Sequence, residues 1–244
     1  MIDKRIERSE RRVFESVAAL AQGAAAWLCQ LALASTGEFS VCLSGGSTPK
    51  PIYERLAESD IASSFPWHRV HWFWGDERFV PHDHPDSNYK MTYDALFSRV
   101  SVPETNILAI PTEGLSPGGS ATAYEATLQR YYGANQLDCR RPLFDVTLLG
   151  VGEDGHTASL FPGDPALQEE QHWAVAVIGA EKPARITLTY PALDSSRHLA
   201  FIVTGANKRN IVAQIKAGDR TLPAVGINPV GSTTWFVDGA AATA

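Results

Sequence analysis

The run Phe144-Asp145-Val146-Thr147-Leu148-Leu149-Gly150-Val151-Gly152-Glu153-Asp154-Gly155-His156-Thr157-Ala158-Ser159-Leu160-Phe161-Pro162-Gly163 decides the fold. Its first six residues are mostly apolar, and a glycine-dense turn follows. That is the pattern of a buried strand at whose end the chain turns sharply. His156 stands in the turn, two residues after Asp154. Imidazole is the side chain best matched to moving protons near neutral pH, so His156 is a candidate general base. A histidine that only satisfies its neighbours within a turn would show the same local pattern. Asp154 either orients the imidazole or braces the loop.

Outward from this run, extended and helical patterns alternate. Val13, Val17, Leu20, Ala24, Trp27, Leu28 and Leu31 recur at helical spacing and predict a long first helix. Strands are predicted over 39–43, 70–74, 143–149, 174–178, 185–189, 199–203 and 233–237. Helices are predicted over 49–56, 88–97, 121–131 and 205–216, and residues 75–87 read as a polar loop. Near-continuous apolar strands separated by helices imply an α/β fold with a mostly parallel sheet, helices on both faces. No repeat, low-complexity tract or linker divides residues 1–244, so one domain is expected. Ligands of such sheets bind beyond the carboxyl ends of the strands. The loops 44–48, 75–88, 150–163 and 204–208 all follow strands and are placed to converge there.

The composition, 44% hydrophobic and 20% charged, excludes disordered, collagen-like and coiled-coil classes. A net charge of −6 with interspersed signs excludes a general nucleic-acid surface but leaves room for a small anionic substrate. Cys29, Cys42 and Cys139 are odd in number and widely spaced, so neither a disulfide framework nor a zinc site is expected. Cys29 and Cys42 fall in apolar patterns and read as buried thiols. The N-terminus is charged (Asp3, Lys4, Arg5, Glu7, Arg8), and no apolar run is expected to approach transmembrane length. A cytoplasmic protein with no membrane partner is the expectation.

Ser44-Gly45-Gly46-Ser47-Thr48-Pro49 is a candidate anion loop. Glycines admit a ligand close to the backbone, and Pro49 suits a first helical turn, whose N–H groups and dipole face an anion. A plain Ser/Thr cap after a tight turn would look alike. In Gly75-Asp76-Glu77-Arg78, Arg78 is suited to hold a phosphate or carboxylate, with Asp76 to orient it or act as a base. A solvated turn with a local ion pair is the alternative. His82, Asp83 and His84 lack metal-ligand spacing and read as surface loop. Asn88 and Arg185 carry weak signals singly. Lys208 sits at the start of a helix, where the dipole disfavours a cation unless an anion is shared there.

Together with Ser87-Asn88-Tyr89, Arg185-Ile186-Thr187-Leu188-Thr189 and Thr204-Gly205-Ala206-Asn207-Lys208, these motifs resemble the 6-phosphogluconolactonases of the glucosamine-6-phosphate isomerase/6-phosphogluconolactonase family. The resemblance runs in order from about residue 10 to 238. It implies a Rossmann-like α/β fold similar to glucosamine-6-phosphate isomerase. It implies hydrolysis of 6-phospho-D-glucono-1,5-lactone to 6-phosphogluconate in the pentose phosphate pathway, without metal or organic cofactor; the sequence itself does not give the oligomeric state, and a monomer is the default expectation. It assigns proton transfer to His156, with Asp154 beside it. Ser44, Gly45, Gly46, Ser47, Thr48, Asp76, Arg78, Asn88, Arg185 and Lys208 become the expected substrate and phosphate contacts.

The isomerase (deaminase) branch shares the anion loop, Asp76, Asp154 and His156, but carries a glutamate where this chain has Phe161. Moving protons between carbons needs several acid/base groups, whereas lactone hydrolysis needs one base and a polarised carbonyl. Phe161 therefore favours hydrolysis. A sugar-phosphate sensor of a bacterial regulator is a third reading, disfavoured because no basic recognition helix is present.

Overall fold

The computed structural model describes residues 9–179 and 183–242. Asp3, Lys4, Arg5, Glu7 and Arg8 lie outside the described residues. In chain order the elements are β1 (Ser9–Phe14), α1 (Val17–Ala34), β2 (Phe39–Leu43), α2 (Lys50–Leu56), α3 (Ser59–Ala62), β3 (Val70–Trp74), β4 (Asp76–Arg78), α4 (Asn88–Ala95), α5 (Pro117–Tyr132) and β5 (Phe144–Gly150). They continue with β6 (Ala174–Val177), β7 (Arg185–Leu188), α6 (Tyr190–Asp194), β8 (Ser196–Val203), α7 (Arg209–Lys216), α8 (Pro223–Gly226) and β9 (Ser232–Asp238).

Six strands form a parallel sheet in the order β1-β9-β8-β5-β2-β3. Every residue of β2 is buried, as suits a mostly apolar strand covered on both faces; Ser40, its one polar residue, donates to Leu143 O at 3.0 Å. From β2 the chain moves outward to β3, while β5 lies on the other side of β2. The sheet's switch point is therefore between β2 and β5, and the loops 44–48 and 150–163 meet above it. Two buried phenols pin the strand ends beside it. Tyr53 Oη donates to Ser44 O at 2.7 Å and accepts from Ser44 N at 3.0 Å. Tyr124 Oη makes the same pair of bonds with Trp74, both at 2.9 Å.

Three expectations are corrected. Val13 belongs to β1, an exposed edge strand rich in charge (Ser9-Glu10-Arg11-Arg12), and not to the first helix. The helix starts only after Ser16, whose hydroxyl accepts from Ala19 N at 3.1 Å. Second, the polar loop 75–87 begins with a strand. β4 pairs antiparallel with β7, and β7 with β6, in a separate three-stranded sheet. Strands 174–178 and 185–189 therefore do not extend the parallel sheet. Third, α1 is long and apolar enough, with a mean hydropathy of 1.6 over 18 residues, to cross a membrane by length and composition. Its Leu20, Ala24, Leu28 and Ala32 are buried, and it packs on α2, β1 and β9 as a core helix.

Cys29 and Cys42 are buried free thiols and Cys139 is exposed. Asp194, at the end of α6, accepts from Asn228 N at 2.7 Å. Burial pushes its carboxyl up to about 6, against the pull of that N–H. A carboxyl raised on folding favours the fold while protonated. That contribution is complete below the ordinary aspartate range and is lost as pH climbs through 6. Asp194→Asn, which can still accept from Asn228, should therefore gain stability relative to the parent as pH rises from 5 to 8. Urea midpoints at the two pH values check this; an unchanged difference would show that Asp194 ionises freely.

Candidate active site

The four strand-end loops enclose a cleft of about 220 Å³. It is lined by residues 44–49, by Asp76, Arg78 and Asn88, by Gly150, Val151, Gly152, His156 and Ala158, and by Arg185 and Lys208. Every expected site residue except Asp154 is on that surface.

The anion loop is shaped by close packing. A β-carbon at Gly45 would lie 1.8 Å from Asn88 Oδ1, and Gly46 has φ +92°, a conformation that glycine alone adopts without strain. Among the described residues, the backbone N–H groups of 45–48 donate to no protein acceptor. Ser47 and Thr48 add hydroxyls beside them, and α2 begins just beyond Pro49.

The β4–β7 register sets Arg78 directly opposite Arg185. Two guanidinium groups side by side repel, a cost that a bound anion removes. Arg185 is held below the usual arginine range by burial first and by Arg78 in addition, with Asp76 pulling the other way. Arg78 donates to Asn88 Oδ1 at 2.7 Å and to Asp86 O at 2.9 Å, and its buried Nε has no partner among the described residues. Lys208 lies in the 3₁₀ turn Ala206–Lys208 ahead of α7 and completes a cationic wall.

Asp76 and Arg78 do not form the local ion pair of the alternative reading among the described contacts. The carboxylate of Asp76 is buried, accepts from Ser159 Oγ at 2.6 Å, and lies 3.7 Å from Arg185. Asn88 ties the two neighbours together, since its amide also donates to Asp76 O at 2.8 Å.

Glu77 escapes sequence reading, because a carboxylate within three successive charges looks solvated. It is 1% exposed. One oxygen accepts from Arg78 N (2.8 Å) and Asn88 N (2.7 Å), the other from Ser87 Oγ (3.0 Å) and Tyr89 N (2.8 Å). Burial raises its carboxyl, and the three N–H donors oppose that rise. The side chain thus caps the N-terminus of α4 and fixes the backbone of two cleft residues. Glu77→Gln turns an amide N–H₂ toward donors that need an acceptor. We expect a loss of about 2–4 kcal/mol in stability and a raised KM with kcat nearly kept, measured by urea unfolding and steady-state kinetics. A normal KM would show that Glu77 does not position the cleft.

The histidine loop is braced from within. Gly152 N donates to His156 O at 2.8 Å, Gly155 N to Gly152 O at 3.1 Å, and Thr157 Oγ1 to Gly150 O at 2.9 Å. Asp154 Oδ1 accepts from His156 N at 3.1 Å and meets His156 Nδ1 at 2.5 Å. Burial raises the Asp154 carboxyl, but the backbone and ring hydrogen bonds of His156 outweigh it and hold the group below the ordinary range. An ionised carboxylate accepts, so Nδ1 is the donor of that contact, which selects the tautomer of the neutral ring with its lone pair on Nε2. Asp154 acts from behind the imidazole and not from the cleft wall. Gly152 is required there: its β-carbon would sit 2.1 Å from His156 Nδ1. Phe161 packs on His156 with ring centroids 4.7 Å apart and under Arg185 at 5.5 Å.

His82 and His84 diverge. His82 Nε2 contacts Ile110 O at 2.8 Å, and His84 Nδ1 accepts from Asp86 N at 3.1 Å. Among the described residues no three His, Cys, Asp or Glu side chains are grouped to hold a metal ion.

A Rossmann-like parallel sheet, a glycine-rich loop at its switch point, and an imidazole and cationic side chains lining the same small cleft define the class, an α/β protein with one polar site at its strand ends. Residues 15–235 match the family model described as glucosamine-6-phosphate isomerases/6-phosphogluconolactonase. A 6-phosphogluconolactonase of Nostoc sp. is 44% identical over 213 residues, covering 86% of each chain. The crystal structure of 6-phosphogluconolactonase from Thermotoga maritima superposes with a TM-score of 0.79 at 31% identity, over 94% of this chain and 99% of that one. A monomeric glucosamine-6-phosphate deaminase shares the fold, with a TM-score of 0.79 at 18% identity over 95% of this chain and 98% of that one. The chain belongs to the glucosamine-6-phosphate isomerase/6-phosphogluconolactonase family.

Proposed function

We propose that the protein hydrolyses 6-phospho-D-glucono-1,5-lactone to 6-phosphogluconate, a step of the pentose phosphate pathway, with His156 as general base. One observation carries the scheme: His156, its Nδ1 occupied by Asp154, lines the same cleft as the anion loop and the opposed Arg78 and Arg185. The lactonase names of relatives at 44% and 40% identity support the substrate.

The 6-phosphate docks on the N–H groups of 45–48 with Arg78, Arg185 and Lys208 around it, which brings lactone C1 toward His156. Nε2 takes a proton from water as the water oxygen bonds to C1. The carbonyl becomes a tetrahedral oxyanion, stabilised by donors of the cleft. When it collapses, the bond from C1 to the ring oxygen breaks, and the imidazolium returns its proton to that oxygen. One water is added across one ester bond, and only protein groups and water take part. Phe161 leaves the imidazole without a carboxylate partner on its open side, which supports hydrolysis over amino-sugar isomerisation.

The buried free thiols Cys29 and Cys42 support a reducing, cytoplasmic setting.

Arg78→Ala and Lys208→Ala should each raise KM for the lactone by about 10- to 100-fold, the loss of one charge-assisted hydrogen bond, with kcat within a few-fold. Initial rates with freshly made lactone, corrected for spontaneous hydrolysis, test this. A fall in kcat at unchanged KM would mean that the residue acts on the reacting ester and not on the phosphate.

A further inference from the structure

Asp238 is the last residue of β9, and its side chain does not line the cleft. The β8–β9 register pairs Val203 with Val237, so the chain that leaves β8 passes beside Asp238. The carboxylate is 4% exposed, and burying it is costly unless donors meet it. Both oxygens accept from Gly205 N, each at 3.1 Å, and Oδ1 also accepts from Ala241 N at 2.8 Å.

Gly205 opens the 3₁₀ turn that carries Lys208 to the cleft wall. Its φ of +97° suits glycine, and a β-carbon there would meet Asn207 Oδ1 at 2.7 Å. Lys208 N donates back to Gly205 O at 3.0 Å, so Lys208 is one hydrogen bond away from the residue that Asp238 grips. Asn207, in the middle of the turn, donates to Glu153 Oε1 of the histidine loop at 2.6 Å. The turn is thus fastened to β9 at its entry and to the histidine loop through its middle. Lys208 directly precedes α7, whose dipole disfavours a cation at that end. Its place on the cleft wall therefore depends on such fastening.

We infer that Asp238 is a positioning residue: through Gly205 it sets the backbone of Lys208 so that the ammonium stands where the substrate phosphate docks, a role that rests on the phosphate contact proposed for Lys208. The test measures KM and kcat for the lactone, corrected for spontaneous hydrolysis, in Asp238→Asn, Asp238→Ala, Lys208→Ala and the two double variants. Asparagine keeps the shape, but whichever place its amide nitrogen takes, it meets the Gly205 N–H. KM in Asp238→Asn should rise about 4- to 10-fold with kcat within about two-fold, and Asp238→Ala should raise KM at least as far. On top of Lys208→Ala, either change should add less than about two-fold, because the side chain being positioned is gone. A purely structural role would lower stability or kcat and would persist without Lys208. Should Asp238→Ala not fold by circular dichroism, the volume-conserving Asp238→Asn decides. Parental KM in Asp238→Asn, a fall in kcat at parental KM, or the full rise in KM on top of Lys208→Ala would overturn the role. Failure of the phosphate reading shows itself differently, as a parental KM in Lys208→Ala alone.

Discussion

His156→Asn should bind the lactone almost normally and turn it over about 10²- to 10⁴-fold more slowly, the usual worth of general acid/base help. Asparagine keeps a donor within reach of Asp154 and is of similar size, so the braced loop from Gly150 to Thr157 has no reason to collapse. What it cannot do is accept a proton from water and hand it to the ring oxygen. The proposed phosphate contacts lie on other elements, the 44–48 loop, β4, β7 and the turn before α7, and are left in place. KM should therefore stay within a few-fold while kcat falls. Because the δ-lactone also opens unaided in water, the spontaneous rate must be measured in parallel and subtracted. A variant with near-parental kcat would remove His156 as the base.

Gly45→Ala is expected to reduce kcat/KM by about 100-fold or more, although it adds only one methyl group. The new carbon would stand 1.8 Å from Oδ1 and 2.0 Å from Cγ of Asn88. Asn88 has no freedom to yield. It is 1% exposed, accepts from Arg78, donates to Asp76 O, and has its own N–H held by Glu77. Either the anion loop lifts or Arg78 loses its partner, and both outcomes disorganise phosphate binding. Gly46→Ala is the informative companion, because nothing stands within 4 Å of its β-carbon and only its φ of +92° opposes a side chain. Equal losses at the two positions would point to backbone strain. A much larger loss at Gly45, read in kcat/KM with native-like circular dichroism, identifies the Asn88 collision.

The buried parallel strands were legible because a strand covered on both faces is mostly apolar, as β2 and β5 are. Their glycine-rich ends were legible for the same reason, since each apolar run stops abruptly at the cleft. β1 was not, because an edge strand is exposed and its charges mask any alternation; Val13 then matched the helical spacing of the residues after it. β4 was not, because Asp76, Glu77 and Arg78 form a strand only through β7, more than a hundred residues away. That pairing produces the opposed arginines and buries Glu77, so the strongest electrostatic features of the cleft follow from a contact that local pattern cannot encode. His156 was legible by chemistry and setting. That Asp154 stands behind it depended on the loop's own hydrogen bonds.

The central claim is tested most directly by offering the protein freshly prepared 6-phosphogluconolactone and glucosamine 6-phosphate side by side. Formation of 6-phosphogluconate is read by a coupled dehydrogenase and ammonia release by a second coupled assay. The cleft described above predicts enzyme-dependent 6-phosphogluconate formation well above the spontaneous rate, abolished to near that rate in His156→Asn, and no ammonia. Ammonia release from glucosamine 6-phosphate with no acceleration of lactone opening would contradict it.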